Sequence, residues 1–188
     1  MPWSDIEQAL DGKRGEAIIA GTAISAAKRD LYGLSYTYFR FPARFIAKSD
    51  VQLPTDLTFY DQLNGKTVGV IAKSAHEAML IDGFPNTKPT PFADVKQVYD
   101  ALKSGEIELA FVDGVASSFW LSSSNAANCC TFVGDPYYSQ KYLGLGMAVV
   151  TRKEDTELLQ AINAALKSIE ETGRYQEIYE RYLPNSPH

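Results

Sequence analysis

Hydrophobic and polar positions follow two alternating periods along the chain. Apolar runs such as Thr67 to Ile71 and Glu108 to Val112 are typical of short buried strands. Between such runs, apolar residues recur three or four positions apart, as in amphipathic helices. The longest helical stretch runs from Asp155 to Glu171, stops at Gly173 and is followed by a last helix from Tyr175 to Tyr182. This alternation predicts an α/β protein with parallel sheets and right-handed crossovers.

Capping signals place three helix starts. Ser4 with Glu7, and Ser74 with Glu77, have the spacing of a capping box. In that motif the serine accepts a hydrogen bond from the backbone three residues on, and the glutamate reaches back. Asp94 has the position of an N-cap as well. The helices that follow are predicted to end near residues 11, 81 and 103.

Shorter patterns predict the remaining elements. A strand from Phe39 to Ala47 contains Pro42, which has no N–H for a strand ladder, so we expect an edge or crossover position there. A further short strand is predicted near Thr87. The other predicted strands lie at 17–20, 130–133 and 142–150, and the other predicted helices at 26–32, 59–63 and 115–121.

One stretch of the sequence resembles another without any gap. Residues 9–25 read ALDGKRGEAIIAGTAIS, and residues 101–117 read ALKSGEIELAFVDGVAS. Both segments have the order helix end, glycine-containing turn, apolar strand and second glycine. Ligands of open α/β sheets bind beyond the carboxyl ends of the strands. The residues that end these strands, Gly21 and Asp113, are therefore candidate site residues.

Composition narrows the classes of function. A chain of 188 residues with 45% hydrophobic residues can form one large domain or two small ones. A net charge of −5, with no cluster of Lys and Arg, offers no basic surface for nucleic acid or anionic membrane. No apolar run approaches the roughly 20 residues of a membrane span. The first ten residues lack the features of a signal peptide.

The cysteines and histidines point to no metal and no catalytic triad. Cys129 and Cys130 are adjacent, and no further Cys or His lies at metal-ligand spacing. We expect two buried thiols at a strand start in preference to a vicinal disulfide. With only His76 and His188, and no Gly-x-Ser-x-Gly motif, a Ser-His-Asp triad has little basis. No cofactor is expected.

Three predicted strand ends carry complementary chemistry. The first, Gly21 to Ser25, is followed by Lys28 and Arg29; the second leads into Ser74 to His76, at a helix start; the third is Asp113. A carboxylate is bound well by a two-pronged guanidinium and by amides at a helix start. An ammonium group donates to a carboxylate. This set of groups suits a free amino acid.

Each of these residues also has a purely structural interpretation. Arg29 can be a solvated residue on a short helix, and Ser74 can be no more than a helix cap. Asp113 follows the apolar run Leu-Ala-Phe-Val, so its charge would be desolvated unless a cation or hydrogen bonds received it. Capping of the next helix would also meet that need.

Four segments, taken in order, resemble the periplasmic polar amino-acid solute-binding proteins of ABC importers, bacterial extracellular solute-binding protein family 3. They are IIAGTAISAAKRDLYGLSYTYF, LNGKTVGVIAKSAHEAML, VYDALKSGEIELAFVDGVAS and LGMAVVTRKEDTELLQAINAALKSIEETGRYQEIYERYL. The resemblance spans almost the whole chain. It implies a periplasmic-binding-protein-like type II fold with two α/β lobes and a hinge. Lobe one would comprise 1–46 plus 142–188, lobe two 50–138, with hinge crossings near 46–49 and 138–142.

The resemblance also implies roles for the candidate residues. Arg29 would hold the ligand carboxylate, and Asp113 would take the ammonium group. The other implied contacts are the backbone of Gly21 and Ala23, the hydroxyl of Ser25, and the amides at Ser74, Ala75 and His76.

The sequence departs from the family pattern at three positions. Ala23 stands where Ser or Thr is common, so one side-chain donor is lost. Arg29 lies one place after the usual Arg, with Lys28 in the common register. Lys73 replaces the turn glycine, and its charge would favour an acidic ligand side chain or block entry.

Family members normally begin with a further strand–helix–strand–helix portion ahead of the region matching Trp3. Lobe one is therefore expected to be truncated and incomplete, with exposed sheet edges and apolar surface. Either the sequence is a fragment, or a partner chain completes lobe one through a domain swap or dimerisation. We favour the second alternative and expect a homodimer.

Three classes of function follow. The favoured one is a periplasmic protein that captures a polar amino acid by hinge closure and presents it to a membrane ABC permease, with no role for nucleic acid. The second is a dehydratase-like enzyme on the same scaffold, for which Glu77 and His76 are the candidate acids. The third is a degenerate binder or sensor domain that acts through a protein partner.

Overall fold

The computed structural model describes Pro2, residues 5–51 and residues 58–183. The predicted Ser4 cap lies outside these residues. In the described part of the chain the elements are α1 (Ile6–Asp11), β1 (Ala17–Ile18), α2 (Ala26–Leu31), β2 (Tyr32–Leu34), β3 (Ala43–Lys48), α3 (Phe59–Gln62), β4 (Thr67–Ile71), α4 (Ala75–Gly83), β5 (Lys88–Phe92), α5 (Val95–Ser104), β6 (Leu109–Asp113), α6 (Gly114–Leu121), β7 (Cys130–Tyr137), α7 (Gln140–Leu143), β8 (Val150–Arg152), α8 (Thr156–Glu171) and α9 (Arg174–Tyr182). None of the described helices is both long enough and apolar enough to cross a bilayer.

Packing divides the chain into two compact units. Unit 1 is Met1–Arg40 with Gly144–Tyr179, and unit 2 is Phe41–Leu143 with Glu180–His188. The chain therefore passes between units after Arg40, after Leu143 and after Tyr179. The first of these points precedes the crossing predicted at 46–49, because β3 pairs along its length with strands of unit 2.

Unit 1 contains, among its described residues, a small sheet of order β1-β8-β2 in which every pairing is antiparallel. Leu10, Ile18, Tyr32 and Val150 form its buried apolar cluster. The first strand covers Ala17–Ile18 only, which is shorter than the predicted 17–20. The prediction of parallel sheets is wrong for this unit, because both partners of β8 run against it.

Unit 2 contains a larger mixed sheet of order β5-β4-β6-β3-β7. Strand β4 is parallel to β5 and β6, as predicted, whereas β3 is antiparallel to β6 and β7. Successive residues of β3 face opposite sides of the sheet. Phe45 joins an apolar cluster with Leu80 of α4, and Ile46 joins a second cluster with Leu102 of α5. Helices thus cover both faces.

Two predicted strands are corrected by the structure. The strand expected from Phe39 begins only at Ala43, and β3 is an interior strand between β6 and β7, so the predicted edge position is wrong. Pro42 stays outside the ladder. The strand expected over 142–150 begins at Val150, because Gly144 and Gly146 have φ values of +78° and +95°, which interrupt extended backbone.

The cap predictions for α4 and α5 are confirmed. The Glu77 N–H donates to the Ser74 hydroxyl at 3.1 Å. The Glu77 carboxylate reaches one residue further back than predicted and accepts from the Lys73 N–H at 2.6 Å. Asp94 accepts from the Gln97 N–H at 2.9 Å. These local signals therefore fix where two helices of unit 2 begin.

The cysteine pair differs from the prediction. Cys129 and Cys130 form a vicinal disulfide rather than two buried thiols. The backbone enters the pair through Ala127 and Asn128, which both adopt left-handed conformations with φ of 51° and 56°. This tight turn brings the neighbouring sulfur atoms together.

Candidate ligand-binding site

The carboxyl ends of β4 and β6 lie side by side at one edge of the unit 2 sheet. The two strands are parallel neighbours, with Val68 opposite Leu109 and Gly69 opposite Ala110. Strand β4 leads through Ser74 into α4, and β6 ends at Asp113, the N-cap of α6. Two predicted parts of the site, the start of α4 and Asp113, are thus brought to the same edge.

Asp113 is held firmly by the protein and keeps one oxygen available. Its Oδ1 accepts from the Ala116 N–H at 2.7 Å, so the capping interpretation holds. Its carbonyl accepts from the Ser117 hydroxyl at 2.6 Å, and that hydroxyl is hydrogen-bonded to buried Tyr99 at 2.8 Å. Within the described residues, Oδ2 has no hydrogen-bond partner. A half-buried carboxylate with one oxygen free is suited to accept from an ammonium group.

The residue after Asp113 must be small. A Cβ at Gly114 would lie 2.8 Å from the Cγ of Arg44 and 3.1 Å from the carbonyl oxygen of Pro42. The Gly114 N–H donates to that carbonyl at 2.8 Å. The end of β6 is therefore packed against the residues that lead into β3, which fixes the position of Asp113.

The start of α4 offers the amides predicted for a carboxylate. Ser74 is the N-cap, and Ala75 and His76 are the first helical residues, whose N–H groups have no partner within the helix. Before them, Lys73 has a φ of 58° and is exposed. A lysine thus adopts the left-handed backbone that favours the glycine implied by the family pattern.

Burial of the His76 side chain is a feature that the sequence did not predict. Its Nε2 is buried without a hydrogen-bond partner in the described residues. The ring packs edge-on against Phe111, with centroids 6.1 Å apart. Burial lowers the pKa of the imidazole, and the negative charge of Asp113 opposes that shift. The imidazole is therefore neutral at pH 7 and lies within the electrostatic reach of the candidate acid.

In unit 1 three predicted site residues, Gly21, Ala23 and Ser25, lie within one short segment. Gly21 has a φ of +72°, and its N–H donates to the hydroxyl of Tyr38 at 3.2 Å. Ala23 forms an antiparallel bridge with Met147. Ser25 caps α2 by accepting from the Lys28 N–H at 3.2 Å. Tyr38 was not predicted, because its contact with Gly21 joins residues distant in sequence.

The two adjacent cations of α2 have different surroundings. Lys28 pairs with Glu7, and its ammonium lies 5.9 Å from the centre of the Tyr32 ring. Arg29 is exposed, and its guanidinium has no ion-pair partner among the described residues. The cation in the usual family register is therefore engaged within the protein, whereas Arg29 is available for an anion.

The described residues contain no group of three or more His, Cys, Asp and Glu side chains suited to a metal ion. The chemistry of the candidate residues is that of hydrogen bonding and charge recognition.

Comparison with known proteins identifies the class. The sequence pattern of the family described as bacterial extracellular solute-binding proteins, family 3, matches residues 1–185, and the chain belongs to this family. The predicted type II periplasmic-binding-protein-like α/β fold is confirmed with it. Because the family consists of solute-binding proteins, the preference for a binding protein over an enzyme is also confirmed.

Individual relatives give the same result. The chain is 28% identical over 176 residues to the ABC transporter arginine-binding protein 1 of Escherichia coli, covering 93% of this chain and 69% of that protein. It is 29% identical over 176 residues to the lysine/arginine/ornithine-binding periplasmic protein of the same organism, covering 93% and 66%. The L-cystine solute receptor of Neisseria gonorrhoeae has the same fold, with a TM-score of 0.78 at 13% identity, covering 99% of this chain and 75% of that one.

Proposed function

We propose that this chain binds a polar amino acid in the periplasm and delivers it to an ABC permease in the membrane. The observation that carries the proposal is the edge of the unit 2 sheet, where the first amides of α4 lie at the end of β4 beside Asp113 at the end of β6. A helix start favours an anion, and a carboxylate with a free oxygen favours a cation. These are the two charged groups of a free amino acid.

Each candidate residue has a proposed role. Asp113 accepts from the ammonium group, and the amides at Ala75 and His76, with the Ser74 cap, bind the carboxylate. In unit 1, Arg29 binds the carboxylate with its guanidinium. The other proposed contacts are the backbone of Gly21 and Ala23 and the hydroxyl of Ser25. The lobes predicted from the sequence, 1–46 plus 142–188 and 50–138, with crossings near 46–49 and 138–142, remain part of this proposal.

The relatives guide the choice of ligands to test. The names of these relatives include arginine, lysine, ornithine and histidine as bound amino acids. Lys73 bears a positive charge beside the start of α4, which opposes a cationic side chain there and favours an acidic or neutral one. A panel of arginine, lysine, histidine, glutamine and glutamate therefore distinguishes a cationic ligand, as bound by the relatives, from the acidic or neutral ligand that Lys73 favours.

Titration calorimetry with this panel tests the proposal, with Arg29→Ala and Lys28→Ala as a matched pair. We expect at least one amino acid to bind, Arg29→Ala to weaken its binding by roughly tenfold or more, and Lys28→Ala to leave the affinity nearly unchanged. Failure of every amino acid to bind the parent protein would favour the degenerate-binder alternative.

A homodimer, with or without a domain swap, is proposed for the same chain. Exposed apolar side chains of unit 1 support it: Ile19 is 72% exposed, Leu31 67% and Tyr36 65%. The leucine and isoleucine side chains of α8 are also only half-buried. Light scattering coupled to size-exclusion chromatography decides the matter, and a monodisperse monomer at micromolar concentration would remove the dimer.

A further inference from the structure

The vicinal disulfide lies at the opposite end of the unit 2 sheet from the candidate ligand site. Cys130 opposes Lys48 at the end of β3, whereas Asp113 opposes Ala43 at its start. Five residue steps at about 3.3 Å each separate these positions along β3, or roughly 17 Å. The disulfide therefore has no part in the proposed contacts with an amino acid.

Stabilisation of the fold does not explain this bond. A disulfide stabilises chiefly by closing a loop in the unfolded chain, and its effect grows with the length of that loop. Cys129 and Cys130 are neighbours, so their bond closes almost no chain. It nevertheless accompanies an unfavourable backbone, since Ala127 and Asn128 both carry a Cβ in the left-handed region. Such local strain is characteristic of functional positions.

The two sulfur-bearing residues differ in exposure. Cys130 is 8% exposed, whereas Cys129 is half-buried and follows the exposed residues Ala127 and Asn128. Backbone hydrogen bonds hold the turn on both sides, from the Ser49 N–H to the Cys129 carbonyl at 2.8 Å and from the Cys129 N–H to the Ala126 carbonyl at 3.0 Å. Attack by an incoming thiolate is therefore directed to the sulfur of Cys129.

We propose that Cys129–Cys130 is a redox-modification site that exchanges two electrons with small thiols and dithiols. A thiolate of a dithiol attacks Cys129 Sγ, the S–S bond breaks, and the Cys130 thiolate leaves and takes up a proton. The second thiol of the reagent then attacks the mixed disulfide and releases Cys129, which is protonated in turn. The protein is reduced by two electrons and the dithiol is oxidised to a disulfide.

Opening the bond has a local structural consequence. Without it, the left-handed conformations of Ala127 and Asn128 are held by the backbone hydrogen bonds of the turn and no longer by the disulfide, so this segment can rearrange more readily. Both cysteines pack with the apolar cluster that includes Trp120, whose ring stacks on Tyr99 at a centroid distance of 3.9 Å. The fluorescence of Trp120, in a Trp3→Phe background, therefore reports the redox state of the pair.

The test uses the folded protein oxidised with glutathione disulfide and then treated with dithiothreitol. Alkylation followed by mass spectrometry should find no free thiol before reduction and two after it, while circular dichroism shows that the fold persists. Trp120 fluorescence should change with the same time course. Two free thiols after the oxidation step, or labelling that occurs only in denaturant, would overturn the proposal.

Single variants test the predicted direction of attack. In Cys130→Ser, the remaining Cys129 should form a mixed disulfide with glutathione about tenfold faster than Cys130 does in Cys129→Ser, because access controls the exchange rate. Equal rates would refute the assignment of Cys129 as the attacked sulfur.

The redox result is independent of the proposed transport function. We expect any amino acid that binds to do so with the same affinity, within about twofold, in both redox states, because the two sites lie at opposite ends of β3. If no amino acid binds, the thiol measurements still test the redox proposal, because they do not depend on a ligand.

Discussion

Replacing Asp113 by Asn separates the two roles that the structure gives to this side chain. Asp113 caps α6 through the Ala116 N–H at 2.7 Å, and its second oxygen is proposed to accept from the ligand ammonium. Asn caps helices about as well as Asp. The substitution therefore keeps the cap and removes the charge, whereas Asp113→Ala would remove both.

The expected effects differ in size. A hydrogen bond to a charged group contributes about 1.5–3 kcal/mol, so the affinity for the amino acid should fall by roughly 10- to 150-fold. The free energy of unfolding should fall by no more than about 1 kcal/mol, the contribution of a negative charge at a helix N-terminus. Asp113→Ala should add a loss of about 0.5–2 kcal/mol from the missing cap.

The assay is titration calorimetry for affinity, paired with urea unfolding for stability. Asp94→Asn is the matched control, because Asp94 caps α5 in the same unit through the Gln97 N–H at 2.9 Å. This control should lose the same small amount of stability and keep its affinity. If the affinity of Asp113→Asn for the ligand is within about threefold of the affinity of the parent protein, the Asp113 carboxylate does not contact the ammonium group.

Three further predictions concern stability. Phe45→Ala removes a fully buried ring that contacts four aromatic rings and should lower the free energy of unfolding in urea by about 3–5 kcal/mol; a loss under about 1 kcal/mol would contradict this packing. Gly114→Ala should lower the free energy of unfolding by about 1–3 kcal/mol, because the added Cβ would press on Arg44 and Pro42. Gly83→Ala is the control and should be tolerated, because no atom lies within 4 Å of its Cβ. Equal losses of stability in the two variants would contradict the close packing at Gly114. Because burial lowers the pKa of His76 while Asp113 opposes the shift, the native state binds fewer protons than the unfolded state below the ordinary value of 6.5. Stability should therefore fall as the pH drops through and below 6.5, more steeply than in His76→Gln; identical pH profiles would count against a buried neutral imidazole.

The sequence correctly predicted those strands, helices and caps that are determined by residues close together in the chain. Strand β4 spans Thr67–Ile71 as expected, since a short apolar run bounded by turn residues defines it. Helix α8 covers Thr156–Glu171 because its apolar spacing and the following Gly173 are both read within one segment. The caps at Ser74 and Asp94 form within four residues of sequence.

The errors arose where distant segments decide the conformation. Strand β3 is interior because β6 and β7 pair with its two sides, which the sequence around Pro42 does not reveal. Gly146 has a φ of +95°, and a Cβ there would lie 2.6 Å from Thr37 and 3.0 Å from Arg40, so residues more than a hundred positions earlier determine that glycine is needed at this point.

The candidate site shows the same division. The positions of Asp113 and of the start of α4 were predictable because strand ends and helix caps are determined by neighbouring residues. The buried Nε2 of His76 depends on packing against Phe111, and the contact of Tyr38 with Gly21 depends on how unit 1 folds. No short pattern contains either fact.

The hydrogen bond from the Gly114 N–H to the Pro42 carbonyl has a mechanical meaning. Pro42 is the second residue of unit 2 after the chain leaves unit 1 at Arg40. The peptide group that follows Asp113 is thus hydrogen-bonded to the first residues of unit 2. Any displacement of Asp113 would therefore act directly on the segment through which the chain enters unit 2, by way of a single hydrogen bond that lies outside the strand ladder.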